Sequence, residues 1–155
     1  MEDLMTTSTN ETTQYIVIKI GDEDFGINIS YIENISRMVR ITRVPKVAPH
    51  IKGVINLRGE VVPVMSLRVK MGLSEDEITN KTRIIILKQE QQGTIGVIVD
   101  EVKEVVNLSE NQIEKVVGNN SASSNFVQSV GKCDFGLVSL LDLNSVIFEK
   151  EEAKA

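Results

Sequence analysis

The residues able to do chemistry are few and scattered. Cys133 is the only cysteine and His50 the only histidine. A nucleophile pair or a thiolate–imidazole metal site would have to be built from these two alone. Cys133 stands between Lys132 and Asp134, where a small activation of the thiol is conceivable, but it has no histidine near it in sequence, and a turn between Val130 and Phe135 explains it more simply. His50, between Pro49 and Ile51, reads as a surface or packing residue. Ser66 and Ser139 lack the glycine-flanked elbow of a nucleophilic serine. Gly93 and Gly96 are not followed by Lys and Ser or Thr, so they do not form a phosphate cradle. The carboxylates of Asp22–Asp24 suit an exposed turn, and those of Glu75–Glu77 a helix start, where negative charge is favoured. Neither cluster has the alternating ligands and closing Glu of a calcium loop. No catalytic residue, cofactor or metal is expected, which makes a binding module the leading class.

Composition narrows the partners. The chain has 155 residues with 17 Lys and Arg against 22 Asp and Glu, a formal charge of −5. That balance argues against nucleic acid and anionic membrane as partners. The N-terminus lacks the basic start and apolar run of an export signal, and no apolar run is long enough to span a bilayer, so a cytoplasmic location is expected.

The elements that would position a binding site are mostly strands. The sequence holds 20 Val and 18 Ile against 10 Leu, and branching at Cβ favours a pleated surface. Residues 1–12 read as a flexible tail, 13–149 as the folded domain and 150–155 as a frayed end. Tyr15–Ile20 and Phe25–Ile29 form a strand pair turning at Gly21, with Ile16, Ile18 and Ile20 on one face. Ser30 and Glu33 have capping-box spacing before a short helix that buries Ile32 and Ile35. Ile41–Val47, with Pro45 inside it, is an extended linker. Gly53–Met65 is a hairpin with a polar corner at Arg58-Gly59. Ser66–Met71 is a short helix stopped by Gly72, and Ser74 with Glu77 repeats the capping spacing. Arg83–Leu87 and Thr94–Val99 form a second strand pair. Val102 and Val105 then have helical spacing, and Ser109 with Gln112 suggests a capped turn. Gly118–Ser124 is a loop, Phe126–Val130 and Phe135–Leu141 are strands, and Asp142–Phe148 is a terminal helix.

The most informative pattern is an internal repeat. Phe25–Ile35 laid over Ile95–Val105 matches Gly26 with Gly96 and five apolar positions that first alternate and then take helical spacing. Val64–Leu67 recurs at Leu140–Leu143. Each half is too small for a comfortable core of its own, so two similar units sharing one core are expected. The core prediction names Ile27, Ile29, Val97 and Val99.

The run Gly53–Val64, GVINLRGEVVPV, continuing as Met65-Ser66-Leu67-Arg68, resembles the chemotaxis coupling (CheW) family. Phe25–Ile35, Gly96–Asp100 with Val102 and Val105, and Leu140–Leu143 extend the resemblance over about residues 13–149. It implies a mostly β fold of two five-stranded SH3-like barrels around a shared core, with short helices. It also implies a non-enzymatic adaptor joining methyl-accepting chemoreceptors to the histidine kinase CheA, through the kinase's regulatory domain and the cytoplasmic hairpin tip of the receptor, at membrane-associated receptor arrays. Carried over by position, Arg58, Ile32, Val102 and Val105 are the implied interaction residues, and Gly53 and Gly59 shape the corner that presents Arg58. Asn28, Asn34 and Ser66 depart from the family's usual Pro, Glu and Asp. A scaffold of another receptor–kinase pathway, or an enzyme with a dispersed site, is the alternative.

Overall fold

The computed structural model describes residues 11–89, 93–115 and 126–146. Strands dominate, as the Val and Ile content requires. In chain order they are β1 (Thr12–Ile20), β2 (Glu23–Asn28), β3 (Ile32–Arg37), β4 (Ile51–Leu57), β5 (Glu60–Ser66), β6 (Arg83–Gln89), β7 (Gly93–Val99), β8 (Glu101–Ser109), β9 (Ile113–Lys115), β10 (Val127–Cys133) and β11 (Gly136–Leu141). Among the described residues two short α-helices, α1 (Leu67–Lys70) and α2 (Leu143–Val146), each follow a strand. β1 starts at Thr12, at the boundary assigned to the N-terminal tail. The expected loop at Gly118–Ser124 and the end of the terminal helix beyond Val146 lie outside the described residues.

The strands form two sheets, ordered β8-β1-β2-β11-β10-β9 and β3-β6-β7-β5-β4. Among the described residues the second has the expected five strands, and the first has six because the three-residue β9 joins β10. The repeat is visible in the pairing itself. β2 lies parallel to β11 with Gly26 opposite Leu140, and β7 lies parallel to β5 with Gly96 opposite Val64. Ile27 faces Ile16 in one sheet as Val97 faces Ile85 in the other. Val102 of β8 faces Ile18 of β1, and Ile32 of β3 faces Leu87 of β6. The halves therefore exchange strands: β3, β4 and β5 of the first half complete the sheet built on β6 and β7, while β8, β10 and β11 complete the sheet built on β1 and β2.

Alternation along the strands sorts the apolar side chains into three cores. Ile16, Ile18, Ile20, Phe25 and Ile27 from one sheet meet Met65, Leu67, Ile85, Leu87, Val97 and Val99 from the other in a single shared core. The intervening residues fill the second sheet's own interior, with Ile84 and Ile86 against Ile55, Val62, Val64 and Ile98. Val17 likewise meets Leu108, Val138 and Leu140 in the first. This explains the unbroken apolar run of β6, whose two faces are both buried. Ile27, Val97 and Val99 are fully buried, and Ile29 is partly buried against the shared core. Gly26 and Gly96 occupy equivalent crowded positions, where a Cβ would come within 2.7 Å of Leu140 and 2.9 Å of Ile84.

Four expectations are corrected. Ile32–Ile35 is strand, preceded by a single 3-10 turn at Ile29–Tyr31 that the Asn28 side chain caps by accepting from Ser30 N at 2.9 Å. Val102–Val105 is also strand, within β8. An extra residue in each strand, Glu33 in β3 and Lys103 in β8, interrupts the alternation, so Ile32 and Ile35 both stand opposite core residues of β6 (Leu87 and Ile85), and Val102 and Val105 opposite core residues of β1 (Ile18 and Ile16). Ile32 and Val102 pack on the shared core, while Ile35 (36% exposed) and Val105 (47%) are left exposed on these edge strands. The Ser74–Glu77 spacing caps nothing, because residues 73–79 have no regular structure. Cys133 closes β10 rather than lying in a turn, and the turn is Asp134-Phe135. The α1 and Ser109–Gln112 expectations match: Ser66 Oγ accepts Val69 N at 3.2 Å, and Gln112 Oε1 accepts Ser109 N at 2.9 Å.

Candidate functional site

The Arg58 corner is built from its backbone upward. Leu57 pairs with Glu60, leaving Arg58 and Gly59 as a two-residue hairpin loop. Their φ angles are +53° and +84°. A loop with both central residues at positive φ matches the right-handed twist of the flanking strands, and glycine accepts such a backbone without strain. Asn56 Oδ1 accepts Gly59 N at 3.2 Å, bracing the loop. Arg58 is exposed, and its guanidinium makes no ion pair or hydrogen bond with the described residues.

Gly53 shapes the same hairpin from its other end. Thr42 crosses β4 here, with Thr42 N donating to Val54 O and Val54 N to Thr42 O, both at 2.8 Å. Gly53 has φ +146°, and a Cβ on it would overlap the Thr42 carbonyl oxygen. Its role is to let the linker lie against the hairpin.

Ile32 and Val102 do not join Arg58 in one cluster. Ile32 is the first residue of β3 and Val102 the second of β8, one edge strand of each sheet, at equivalent positions against the shared core. Arg58 stands between β5 and β4, at the end of the second sheet's strand order remote from β3. The edges of that sheet nevertheless approach, because Ser36 of β3 and Asn56 and Leu57 of β4 line one hollow. Val105 is the exposed member of the group, on β8 opposite Ile16 of β1.

Two features escaped the sequence reading. Arg68 of α1 donates from Nη1 to Asp100 Oδ2 at 2.7 Å and from Nε to Ser74 O at 3.1 Å. Asp100 Oδ2 also accepts Gly21 N at 2.8 Å, so one carboxylate ties α1 of the second sheet to the β1–β2 turn of the first. The second feature is the counterpart of the Arg58 corner: Cys133 pairs with Gly136 around Asp134-Phe135, so the two equivalent hairpins carry opposite charges at their tips. Lys103 Nζ lies 5.8 Å from the centre of the Phe135 ring and 3.3 Å from Asp24 Oδ2. The Asp100 tie and the Lys103 contacts join residues distant in sequence, whereas the Asp134-Phe135 turn is local and its likeness to the Arg58 corner is visible only through the repeat.

Two titratable groups bear on chemistry. Burial, with Asp134 and Glu104 nearby, pushes the Cys133 thiol up, which opposes thiolate formation. Burial pushes the Asp76 carboxyl up and the Asp100 charge adds to this, while the Ser66 hydroxyl, Lys52 and Arg68 oppose it. Neither Asp76 oxygen has a hydrogen-bond partner of good geometry. Among the described residues no group of three or more His, Cys, Asp and Glu is placed to hold a metal ion, and no helix is long and apolar enough to cross a membrane.

The departures from the expected family pattern keep their local roles. Asn28 caps the turn before β3, Asn34 Oδ1 accepts Ile35 N at 2.8 Å, and Ser66 caps α1.

Known proteins resemble this arrangement throughout its length. The CheW-like domain model matches residues 14–151. The chemotaxis protein CheW of Bacillus subtilis is 34% identical over 152 residues, covering 97% of this chain and 96% of that one. Its counterpart in Helicobacter pylori is 32% identical over 137 residues, covering 88% and 82%. Among solved structures, the scaffolding protein TtCheW from Thermoanaerobacter tengcongensis superimposes with a TM-score of 0.80 at 28% identity, covering 91% of this chain and 98% of that one. With its duplicated, strand-exchanged sheets and a family match spanning nearly every residue, the chain belongs to the CheW family of chemotaxis coupling proteins.

Proposed function

We propose that this protein is a non-enzymatic adaptor that links chemoreceptors to the CheA histidine kinase in chemotaxis signalling. The observation that carries this is the match of nearly the whole chain, and of its fold, to CheW relatives. The finer reading has the kinase's regulatory domain on one face and the hairpin tip of a methyl-accepting receptor on another. It has the protein in the cytoplasm, recruited to receptor arrays at the membrane. Each sheet closes on itself as a small barrel in this reading, supported in the second sheet by the hollow that β3 and β4 share.

Arg58 is the charged contact, held out by a rigid loop with five N–H donors and no competing partner of its own. Val105 offers apolar surface on β8. Ile32 and Val102 hold the edge strands in place through the shared core, and Gly53 and Gly59 set the direction of the Arg58 hairpin.

Coupling is then a matter of linkage. A receptor state that alters kinase output through the adaptor must bind the assembly with a different free energy. Individually weak contacts suffice when several act together. The test is reconstitution from purified adaptor, CheA and receptor fragments. Kinase activity is expected to follow receptor state only with the adaptor present, and unchanged receptor control in its absence overturns the proposal.

A further inference from the structure

Charge is segregated along this acidic chain. Between Glu33 and Glu60 there is no carboxylate, and Arg37, Arg40, Arg43 and Lys46 fall at every third residue. All four are exposed, and none makes an ion pair with the described residues, whereas Lys52 in the same stretch lies 2.5 Å from Glu75. Exposed valines lie between the cations: Val39 (46%), Val44 (37%) and Val47 (42%), with Val61 (68%) across from them on the hairpin. The surface is concave in two places. One cleft of about 770 Å³ runs along Arg43, Val44, Lys46 and Val47 to Lys52. Another, of about 460 Å³, lies between Val39 and Arg40 on one side and Val54, Leu57 and Val61 on the other.

The chemistry of this face selects its occupant. Covering the valines gains hydrophobic free energy, but it strips water from the guanidinium groups beside them, which is unfavourable unless carboxylates arrive at the same time. A matching partner therefore offers aliphatic side chains and carboxylates together. Residues 34–59 contain no Phe, Tyr or Trp, so there is no platform for stacking bases. Valine side chains are short for insertion into a bilayer, and Glu33, Glu60 and Glu75 flank the face and repel an anionic membrane.

We propose that residues 37–47, with the adjoining face of the β4–β5 hairpin, are a docking surface for an acidic segment of a partner protein in which carboxylates alternate with aliphatic side chains. The proposal rests on the adaptor reading only in supposing a protein partner. It assigns binding to Arg37, Arg40, Arg43 and Lys46 as a set, with Val39, Val44, Val47 and Val61 as its apolar half.

The test uses the full chain and a short fluorescein-labelled peptide of alternating Glu and Leu, read by anisotropy. A Gln-for-Glu peptide, a Glu-Gly peptide and phosphatidylglycerol vesicles are run beside it. The Glu-Leu peptide is expected to bind best and to weaken as salt rises. The double variant Arg40→Glu/Arg43→Glu should lose at least about tenfold in affinity, while Arg40→Lys/Arg43→Lys keeps most of it and both variants denature as the parent does. Equal binding of the Gln and Glu peptides, or an unaffected charge-reversed variant, overturns the proposal. So does preference for the vesicles, which would assign the face to lipid. Peptide binding that appears only after residues 147–155 are removed also overturns it, in favour of the chain's own acidic end. A chain that binds the peptide while CheA stays indifferent to receptor overturns the adaptor reading alone; the opposite result overturns this surface alone.

Discussion

Replacing Arg58 separates folding from binding, because the two effects have different sources in the structure. The guanidinium has no partner among the described residues, so truncation to Ala removes no internal contact and keeps the same φ of +53°. Unfolding free energy should stay within about 1 kcal/mol of the parent. Glycine at this position relieves left-handed strain of about 1–2 kcal/mol. Its looser unfolded chain takes back about 0.4–1 kcal/mol, leaving Arg58→Gly between equal to the parent and about 1.6 kcal/mol more stable. Binding should move the other way. Loss of a charged contact weakens association by about 2 kcal/mol, roughly thirtyfold, in both Ala and Gly variants, and Arg58→Glu does at least as much damage. Urea denaturation of each variant, with calorimetric titration against the CheA regulatory domain and a receptor-tip fragment, gives both numbers. Parental affinity for both partners would refute the interaction role; a loss of more than about 2 kcal/mol in stability for Arg58→Gly would refute the reading of the loop.

Three further outcomes are expected. Gly53→Ala should destabilise by at least about 3 kcal/mol, because its Cβ meets the Thr42 carbonyl oxygen at an unfavourable φ, and denaturation should show it even where binding cannot be measured. Ile27→Ala should cost about 2–5 kcal/mol, and Ile29→Ala less, since Ile27 is fully buried in the shared core and Ile29 only partly so; the reverse order in urea midpoints would contradict the assigned faces. Asp76→Asn should raise stability at neutral pH: a carboxyl whose folded value is raised binds its proton more tightly folded than unfolded, so stability falls as pH climbs from the ordinary carboxylate range through the raised value. The gain should vanish below the unfolded-state value, and a constant difference across acid pH would remove burial of the charge as its cause.

How much was legible in the sequence depended on whether local pattern and tertiary role agreed. The Arg58-Gly59 corner was readable because turn chemistry is local: a polar pair between apolar runs predicts the hairpin that Leu57 and Glu60 close. The buried faces of β2 and β7 were readable from period two. The spacing of Ile32–Ile35 and Val102–Val105 suggests helix because apolar residues three apart share a helix face, and a strand keeps such a pair on one face only where an extra residue interrupts its alternation, as Glu33 and Lys103 do here. Pairing with β6 and β1 decided the matter, and that information sits about fifty or more residues away in one case and more than eighty in the other. The two strands share an irregularity at the same repeat position, around Glu33 and Lys103, where the register slips against the partner. Ser74 and Glu77 had the right spacing for a cap but no apolar face behind them to fold a helix upon.

The strand exchange explains why an adaptor of this size can carry information between two partners. Neither sheet is complete without the other half of the chain, since β3, β4 and β5 serve the sheet of β6 and β7 while β8, β10 and β11 serve that of β1 and β2. The shared core, with side chains from both sheets, is reinforced by Asp100, which holds Arg68 and the Gly21 amide at once. Relative motion of the sheets would break buried packing and a partly buried ion pair together, so the sheets move as one body rather than through a hinge. Edge strands β3 and β8 and the strands that carry the Arg58 hairpin are therefore fixed in relation to one another. An adaptor with a soft hinge would absorb a change in receptor geometry within itself; a rigid one passes it to the kinase as a change in contact free energy, which is what coupling requires.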